Sequence, residues 1–117
     1  MSLLFVEYPK CTTCKKAKAF LDAKGAIYTD RHIKEENPSF DELKEWVEKS
    51  GLDIKRFFNT SGILYREMGL KDRLDDMYVD EKLKLLSSDG MLVKRPILVG
   101  DDFVLVGFKE SDWEDKV

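Results

Sequence analysis

The sequence predicts an α/β protein with one mixed four-stranded sheet and an all-helical insertion between the second and third strands. Three observations support this prediction. Strand-like apolar runs stand near both ends of the chain, an amphipathic helix follows the first run, and residues 33–90 show only helical spacing. The length of 117 residues fits one domain, which we place at residues 1–117.

The N-terminal part of the chain has the pattern of a strand, a helix and a second strand. Residues 3–6 form a continuous apolar run, which is typical of a strand buried on both faces. Thr12 or Thr13 is expected to cap a helix that runs to about Lys24. A second strand is expected at residues 26–31, and this order requires a right-handed connection between two parallel strands.

The middle of the chain has the signals of several short helices. Ser39 and Glu42 have the spacing of a capping box, and Gly51 is expected to end the helix that they begin. Three further helices are expected, at residues 63–68, 71–76 and 80–87. Because no linker or low-complexity tract separates this part from the rest, we interpret residues 33–90 as an insertion into the same domain.

The C-terminal part has the pattern of a hairpin followed by a last helix. Strands are expected at residues 97–99 and 103–106, on either side of the turn residues 100–102. Ser111 is expected to cap the final helix, with Glu114 completing the capping box. Hairpin strands are antiparallel, so the complete sheet is predicted to be mixed.

Composition and charge narrow the classes of function. With 43% hydrophobic residues, 37% charged residues and a net charge of -3, the chain is globular, and nucleic acid is not expected as its main partner. The apolar run at residues 3–6 is too short for a signal sequence or a membrane span, so we expect a cytoplasmic protein. Two cysteines three positions apart indicate redox or metal chemistry in a reducing compartment.

The cysteine pair, Cys11 and Cys14, stands where the first strand turns into the first helix. The free N–H groups and the positive end of the helix dipole favour a thiolate at Cys11, and Lys10 and Lys15 add positive charge nearby. We therefore predict that Cys11 has a lowered pKa and acts as the nucleophile. Cys14, one turn into the helix, is placed to resolve a mixed disulfide.

The cysteine pair has other possible interpretations, structural, metal-binding and phosphatase-like. The two cysteines could be purely structural, with Cys14 in the core and Cys11 idle. A structural zinc site needs four ligands, and the sequence offers one CxxC motif and one histidine, His32, so we expect no metal and assign His32 no role. A phosphatase-type C-x5-R loop is excluded, because the sixth residue after Cys11 is Ala17.

Three ordered blocks of the sequence carry a resemblance to a known family. The blocks are residues 8–17 (YPKCTTCKKA), 57–62 (FFNTSG) and 94–99 (KRPILV). By these motifs the chain resembles the glutaredoxin-like arsenate reductase family, which also contains the Spx-type and MgsR-like regulators. The resemblance implies a thioredoxin-like fold with Cys11 in the nucleophilic position. It also implies that Arg95 binds an oxyanion and that Pro96 is a cis-proline facing the cysteine.

The sequence departs from the arsenate reductases at two places. Enzymes of this type use three arginines around the cysteine, but the stretches that would supply the other two contain Asn59 and Lys109. Arg95 and the start of the first helix, with Thr12 and Thr13, are therefore expected to bind any oxyanion almost alone. We expect arsenate reduction to be weak or absent.

Two functions follow from the resemblance. The first is a thiol-disulfide oxidoreductase without a bound cofactor, reduced by glutathione, glutaredoxin or thioredoxin. The second is a redox-switched regulator, similar to the Spx type, that docks on RNA polymerase. The resemblance implies that the Spx-type regulators have a somewhat longer chain with a basic C-terminal tail. The given sequence ends with residues 113–117 (WEDKV), and this difference favours the enzyme. We expect a monomer whose partner is a thiol reductant or a disulfide-containing protein, with no direct contact with nucleic acid or membrane.

Overall fold

A computed structural model describes residues 2–117. The strands are β1 (Leu4–Glu7), β2 (Thr29–His32), β3 (Ile97–Val99) and β4 (Val104–Val106). The α-helices are α1 (Thr12–Ala23), α2 (Phe40–Ser50), α3 (Ile63–Glu67), α4 (Leu70–Arg73), α5 (Val79–Ser88) and α6 (Glu110–Glu114). Short 3-10 helices lie at Ile54–Phe57, Leu74–Asp76 and Gly90–Leu92. Within the described residues, no helix has the length and apolar character needed to cross a bilayer.

The four strands form one mixed sheet in the order β2-β1-β3-β4. The first two strands are parallel, while β3 runs antiparallel to both β1 and β4. The predicted mixed sheet, the parallel β1-α1-β2 unit and the C-terminal hairpin are confirmed. This is the thioredoxin-like arrangement, with the insertion lying between β2 and β3.

Each face of the sheet packs against a different set of helices. Phe5 points towards α1 and α6, where Leu21 and Trp113 bury their side chains with it. Val6, the next residue, points to the opposite face and packs on the insertion, for example against Leu86. The separation follows from the alternation of side chains along a strand. The start of α1 therefore lies above one face of the sheet, beside the end of β1.

One β-bridge joins the insertion to the chain that leads into β3. Phe58 pairs with Val93 in an antiparallel bridge, and the backbone N–H of Lys94 donates to the carbonyl of Phe57 over 2.8 Å. The prediction of an all-helical insertion is corrected at this bridge. Strand-like pairing at a single residue leaves no periodic signal in the sequence.

Two of the predicted helix caps are wrong. The N-cap of α1 is Cys11, and Thr12 and Thr13 already lie in the first turn, where their side chains do not cap the helix. The N-cap of α6 is Lys109, so Ser111 also lies inside the helix. Both helices begin without a side-chain cap, and in α1 this leaves the first N–H groups available to another acceptor.

The capping box predicted at Ser39 and Glu42 is confirmed. The limits of β1 and β2, in contrast, differ from the prediction. β2 begins at Thr29 and not at residue 26, because the chain must first cross from the end of α1 to the edge of the sheet. β1 begins and ends one residue later than expected, at Leu4 and Glu7 instead of residues 3 and 6, and Glu7 is buried.

Candidate active site

The two cysteines occupy different environments at the start of α1. Cys11 is the N-cap and is half-buried, and its backbone N–H donates to the carbonyl of Tyr8 over 2.9 Å. Cys14 lies in the first turn and is fully buried. Both thiols are free. The two residues are thus one turn apart, with only Cys11 open to a partner from solution.

The surroundings of Cys11 stabilise its thiolate. Burial by itself raises the pKa of Cys11, but hydrogen bonds from the backbone and side chain of Cys14 and from the backbone of Thr13 outweigh this effect. The positive charge of Arg95 acts in the same direction, so the pKa of Cys11 lies below its ordinary value. The start of an uncapped helix is a general site for a thiolate for the same reason.

The pKa of Cys14 is shifted in the opposite direction, above its ordinary value. Burial is the main cause that raises the pKa of Cys14 to about 12, and the nearby charges of Cys11 and Glu7 raise it further. Near neutral pH the buried thiol is therefore protonated while the half-exposed thiol ionises more readily. Thiol-disulfide exchange needs this division between an attacking and a resolving cysteine.

Arg95 is the cation that acts on Cys11, whereas Lys10 and Lys15 are exposed. The Arg95 guanidinium lies over the ring of Tyr8, with Cζ 5.2 Å from the ring centroid. Its Nη1 is buried and, within residues 2–117, has no hydrogen-bond partner. Such a group favours an anionic ligand, because its donors are desolvated but unused. The peptide bond between Arg95 and the buried Pro96 is cis, as the resemblance implied.

A basic cleft of about 310 Å³ opens beside the start of α1. Its polar and charged lining residues are Thr13, Arg56, Lys94, Arg95, Lys109 and Asp112. In the described part of the chain, none of the four cations forms an ion pair with a carboxylate. The basic cleft is the space bordered by these four cations, Arg56, Lys94, Arg95 and Lys109. It concentrates positive charge in a protein whose net charge is -3.

The structure brings some of the predicted oxyanion residues together and separates others. Thr13, Arg95 and Lys109 line the basic cleft, whereas Thr12 is exposed and does not. Asn59 lines a second cleft, of about 570 Å³, that Arg95 also borders. Arg95 therefore stands between two clefts.

Sequence reasoning assigned no site role to three of the polar cleft residues, Arg56, Lys94 and Asp112, and Arg56 is the one that comes from the insertion. The bond from the Lys94 N–H to the Phe57 carbonyl brings this insertion residue beside Arg95. Nothing in the local sequence around Arg56 indicates this contact. Arg95 and the start of α1, which are expected to bind an oxyanion almost alone, therefore have a second arginine beside them.

The imidazole ring of His32 contacts backbone groups two and three residues further along the chain and one aromatic ring. Its Nδ1 accepts hydrogen bonds of 3.2 Å from the backbone N–H groups of Lys34 and Glu35. Its ring packs edge-on against Tyr8. Among residues 2–117, no three histidine, cysteine, aspartate or glutamate side chains gather in the manner of a metal site.

The fold and the position of the cysteine pair define a thioredoxin-like protein with an inserted helical segment. Within that class, the chain belongs to the ArsC family, whose family model matches residues 6–116. The resemblance recognised from the three sequence blocks is confirmed.

Relatives of known sequence cover almost the whole chain. The uncharacterized protein YusI of Bacillus subtilis is 55% identical over 115 residues, which are 98% of this chain and 98% of that protein. The regulatory protein MgsR of Bacillus subtilis is 31% identical, over 94% of this chain and 86% of that protein. The family thus includes a regulator.

Solved structures show the same fold. The crystal structure of an ArsC family related protein from Bacteroides fragilis is 49% identical, with a TM-score of 0.96, and the match covers 98% of this chain and 97% of that chain. An arsenate reductase from Vibrio cholerae matches with a TM-score of 0.89 at 24% identity, over 100% of this chain and 98% of that chain. At that identity the second match shows a shared fold alone.

Proposed function

We propose that this chain is a thiol-disulfide oxidoreductase of the ArsC family that uses Cys11 and Cys14 as its redox pair. The observation that supports this proposal is the contrast between the two thiols. Cys11 is half-exposed with a lowered pKa, whereas Cys14 is buried one turn away with a raised pKa.

The reaction has two exchange steps. The Cys11 thiolate attacks one sulfur of a partner disulfide, a mixed disulfide forms, and the other partner sulfur leaves as a thiolate. Cys14 then attacks the sulfur of Cys11, loses its proton, and releases the second partner thiolate. The partner gains two electrons and the cysteine pair is oxidised to a disulfide. Glutathione, glutaredoxin or thioredoxin is the proposed reductant that returns the pair to its dithiol form.

The basic cleft favours a partner with negative charge near its reacting sulfur. Arg56 and Lys109 are exposed and Lys94 is half-buried, so they attract an anion without forming a rigid cage around it. Glutathione, with its two carboxylates, and a peptide with acidic residues beside its cysteine both have this chemistry. An oxyanion as small as arsenate requires donors that are held more firmly.

A trapping experiment tests the proposal. In Cys14→Ser the mixed disulfide on Cys11 cannot be resolved, so a partner should remain covalently attached and be identified by mass spectrometry under non-reducing conditions. Cys11→Ser is the matched control and should trap nothing. Treatment of the wild-type protein with diamide should produce an intramolecular disulfide, since residues three apart at a helix start can bring their sulfurs together. If both thiols stay free under excess diamide, the redox proposal is wrong.

The regulatory relative supports a second candidate function. Because MgsR is 31% identical over 94% of this chain, the pair could instead act as a switch that alters docking on RNA polymerase when Cys11 and Cys14 are oxidised. An enzyme turns over repeatedly with its reductant, whereas a switch changes affinity. Binding of the oxidised and reduced protein to RNA polymerase, measured beside multiple-turnover disulfide reduction, separates the two functions.

A further inference from the structure

Glu7 is the buried charged side chain of the described structure, with 3% of its surface exposed. It is the last residue of β1, and it shares the face of Phe5, which packs against α1. Its carboxylate is therefore enclosed between the sheet and α1. Neither of the two proposed exchange steps involves this carboxylate.

Lys18 and Asp30 connect Glu7 to the protein surface. The Lys18 Nζ lies 3.7 Å from the Glu7 Oε2 and 2.8 Å from the Asp30 Oδ2. The exposed fractions of the Lys18 and Asp30 side chains are 45% and 39%. The three charged groups thus form a chain from a buried carboxylate to solvent.

The other residues beside Glu7 come from the two strands that pair with β1. His32 is its register partner in β2, and the Nδ1 of His32 accepts two backbone N–H groups. On the other side, β1 pairs with β3 through the apolar residues Val6 and Ile97. Burial between the sheet and α1 is the main influence on the proton affinity of Glu7, and Asp30 and Lys18 are the charged groups that modify it.

Cys14 faces the same cluster from α1. It lies one helical turn before Lys18, and residues four apart share one face of a helix. The charge of Glu7 is one cause of the raised pKa of Cys14. Because Cys14 is fully buried, its proton has no direct path to solvent when the thiol attacks.

Glu7 has the proton affinity that such a transfer needs. Burial, and then a hydrogen bond to Asp30 and the charge of Asp30, raise the pKa of Glu7 to about 7, although Lys18 opposes the shift. The carboxyl group therefore gains and loses a proton near neutral pH, where a general base works best.

We propose that Glu7 accepts the proton of Cys14 during the resolving step and that Asp30, held by Lys18, passes it to solvent. The proposal rests on the proposed function, because it requires Cys14 to attack the mixed disulfide on Cys11. In that step the bond between the sulfurs of Cys14 and Cys11 forms and the bond from Cys11 to the partner sulfur breaks. The partner leaves as a thiolate with the electron pair, and the proton moves from the Cys14 sulfur to the Glu7 carboxylate. No further oxidant or reductant is involved.

A chromogenic disulfide separates the two steps. When Ellman's reagent reacts with the reduced protein, Cys11 releases a first thionitrobenzoate, and the attack of Cys14 on the mixed disulfide releases a second. In the wild-type protein the rate of the second release should rise with pH and level off above about pH 7. In Glu7→Gln it should be about 10²-fold slower and should increase with hydroxide concentration without levelling off near neutral pH. Glu48→Gln, which removes an exposed charge on α2, is the matched control and should follow the wild-type profile.

Two neighbouring substitutions give opposite shifts of the same profile. Asp30 raises the pKa of Glu7 and Lys18 lowers it. The rising part of the profile should therefore move to lower pH in Asp30→Asn and to higher pH in Lys18→Met. Both positions are near the surface, so these variants keep the proposal testable if Glu7→Gln does not fold. If Glu7, Lys18 and Asp30 had a purely structural role, the two substitutions would change the rate of the second release but would not shift its pH profile in opposite directions.

The possible outcomes distinguish this proposal from the proposed function. If the wild-type protein releases only one thionitrobenzoate, Cys14 does not resolve and the proposed function itself is overturned. If the second release occurs but has the same rate and pH profile in Glu7→Gln, only the role of Glu7 is overturned. The same conclusion follows if Asp30→Asn and Lys18→Met leave the profile where it is.

Discussion

The backbone N–H of Lys94 donates a 2.8 Å hydrogen bond to the carbonyl oxygen of Phe57. This bond joins the insertion to the segment before β3, and it places Arg56 and Arg95 beside one cleft. The electrostatics of the candidate site thus depend on a contact between distant parts of the chain.

The charge of Arg95 should matter more for Cys11 than the lysines next to it in sequence. Arg95→Met removes a positive charge that lowers the pKa of Cys11, so the pH at which iodoacetamide labels Cys11 should rise. Lys15→Met, which removes an exposed charge, should produce a smaller rise. Labelling is measured across a pH series in a Cys14→Ser background. Equal shifts in the two variants would show that the local lysines act on the thiolate as strongly as Arg95.

The ion pair between Arg31 and Glu42 should make stability depend on pH. The two side chains form bidentate hydrogen bonds of 2.6 and 2.9 Å, and Glu42 also caps the N-terminus of α2 with Ser39. The hydrogen bond from Arg31 is the main cause that lowers the pKa of Glu42 to about 2. Because the folded pKa is below the unfolded value, this stabilisation is present above about pH 4.5 and is lost as the pH falls towards 2.

Glu42→Gln should therefore lower the free energy of unfolding by about 1 kcal/mol at neutral pH. The difference from the wild-type protein should shrink as the pH falls from about 4.5 towards 2, because the carboxylate of the unfolded wild-type chain takes up a proton in this range and the folded one does not. Urea denaturation at several pH values measures both effects. Glu45→Gln is the control, because this carboxylate is 67% exposed and lies 3.6 Å from the Lys49 Nζ. A difference for Glu42→Gln that stays constant down to pH 2 would contradict the assignment.

Much of the fold could be predicted because its signals are local. The sequence correctly predicts the capping box at Ser39 and Glu42 and the limits of β3 at residues 97–99, since side-chain spacing alone defines them. Gly51, which adopts a left-handed conformation, ends α2 as expected. The cysteine pair also stands where the sequence placed it, at the start of α1.

The missed features depend on tertiary contacts. A glutamate after an apolar run normally marks the return to solvent, so nothing in the sequence indicates that Glu7 lies buried under α1. Arg56 could be assigned to the site only with knowledge of the bond between Phe57 and Lys94. The cysteine pair could therefore be predicted, because the start of one helix defines its position. The contribution of Arg56 from the insertion could not.

Gly90 should tolerate no side chain, although its backbone conformation is ordinary. A Cβ at this position would clash with the carbonyl oxygen of Ile33 and would lie 2.7 Å from the carbonyl carbon, and backbone atoms cannot move aside as a side chain can. We expect Gly90→Ala to lower the free energy of unfolding by about 3 kcal/mol. Gly25→Ala is the matched comparison, with a φ of +68° and no atom within 4 Å, and should cost about 1 kcal/mol. Equal losses in denaturant titrations would show that the contact at Ile33 relaxes.

Arsenate reduction should be weak or absent, because two anions must meet at the site. Arsenate carries negative charge and Cys11 attacks as a thiolate, so fixed donors have to offset their repulsion. Each donor lost from an oxyanion site typically costs about 10²-fold or more in rate. At the two further positions where the resemblance implies an arginine, we expect Asn59 and Lys109, and a lysine lacks the planar fork of a guanidinium. Arg56 adds charge to the basic cleft, but its side chain is exposed and less firmly held than that of Arg95.

A disulfide substrate carries no charge at the sulfur that Cys11 attacks, so disulfide exchange should survive where arsenate chemistry fails. Arsenite production and disulfide reduction are measured side by side with glutathione, glutaredoxin and thioredoxin as reductants, in the wild-type protein and in Arg56→Met and Arg95→Met. We expect disulfide reduction to continue in all three proteins, with a slower first step in Arg95→Met because the Cys11 thiolate loses its cation. Arsenite turnover of about one per second, abolished in both arginine variants, would instead show that Arg56 completes an arsenate site.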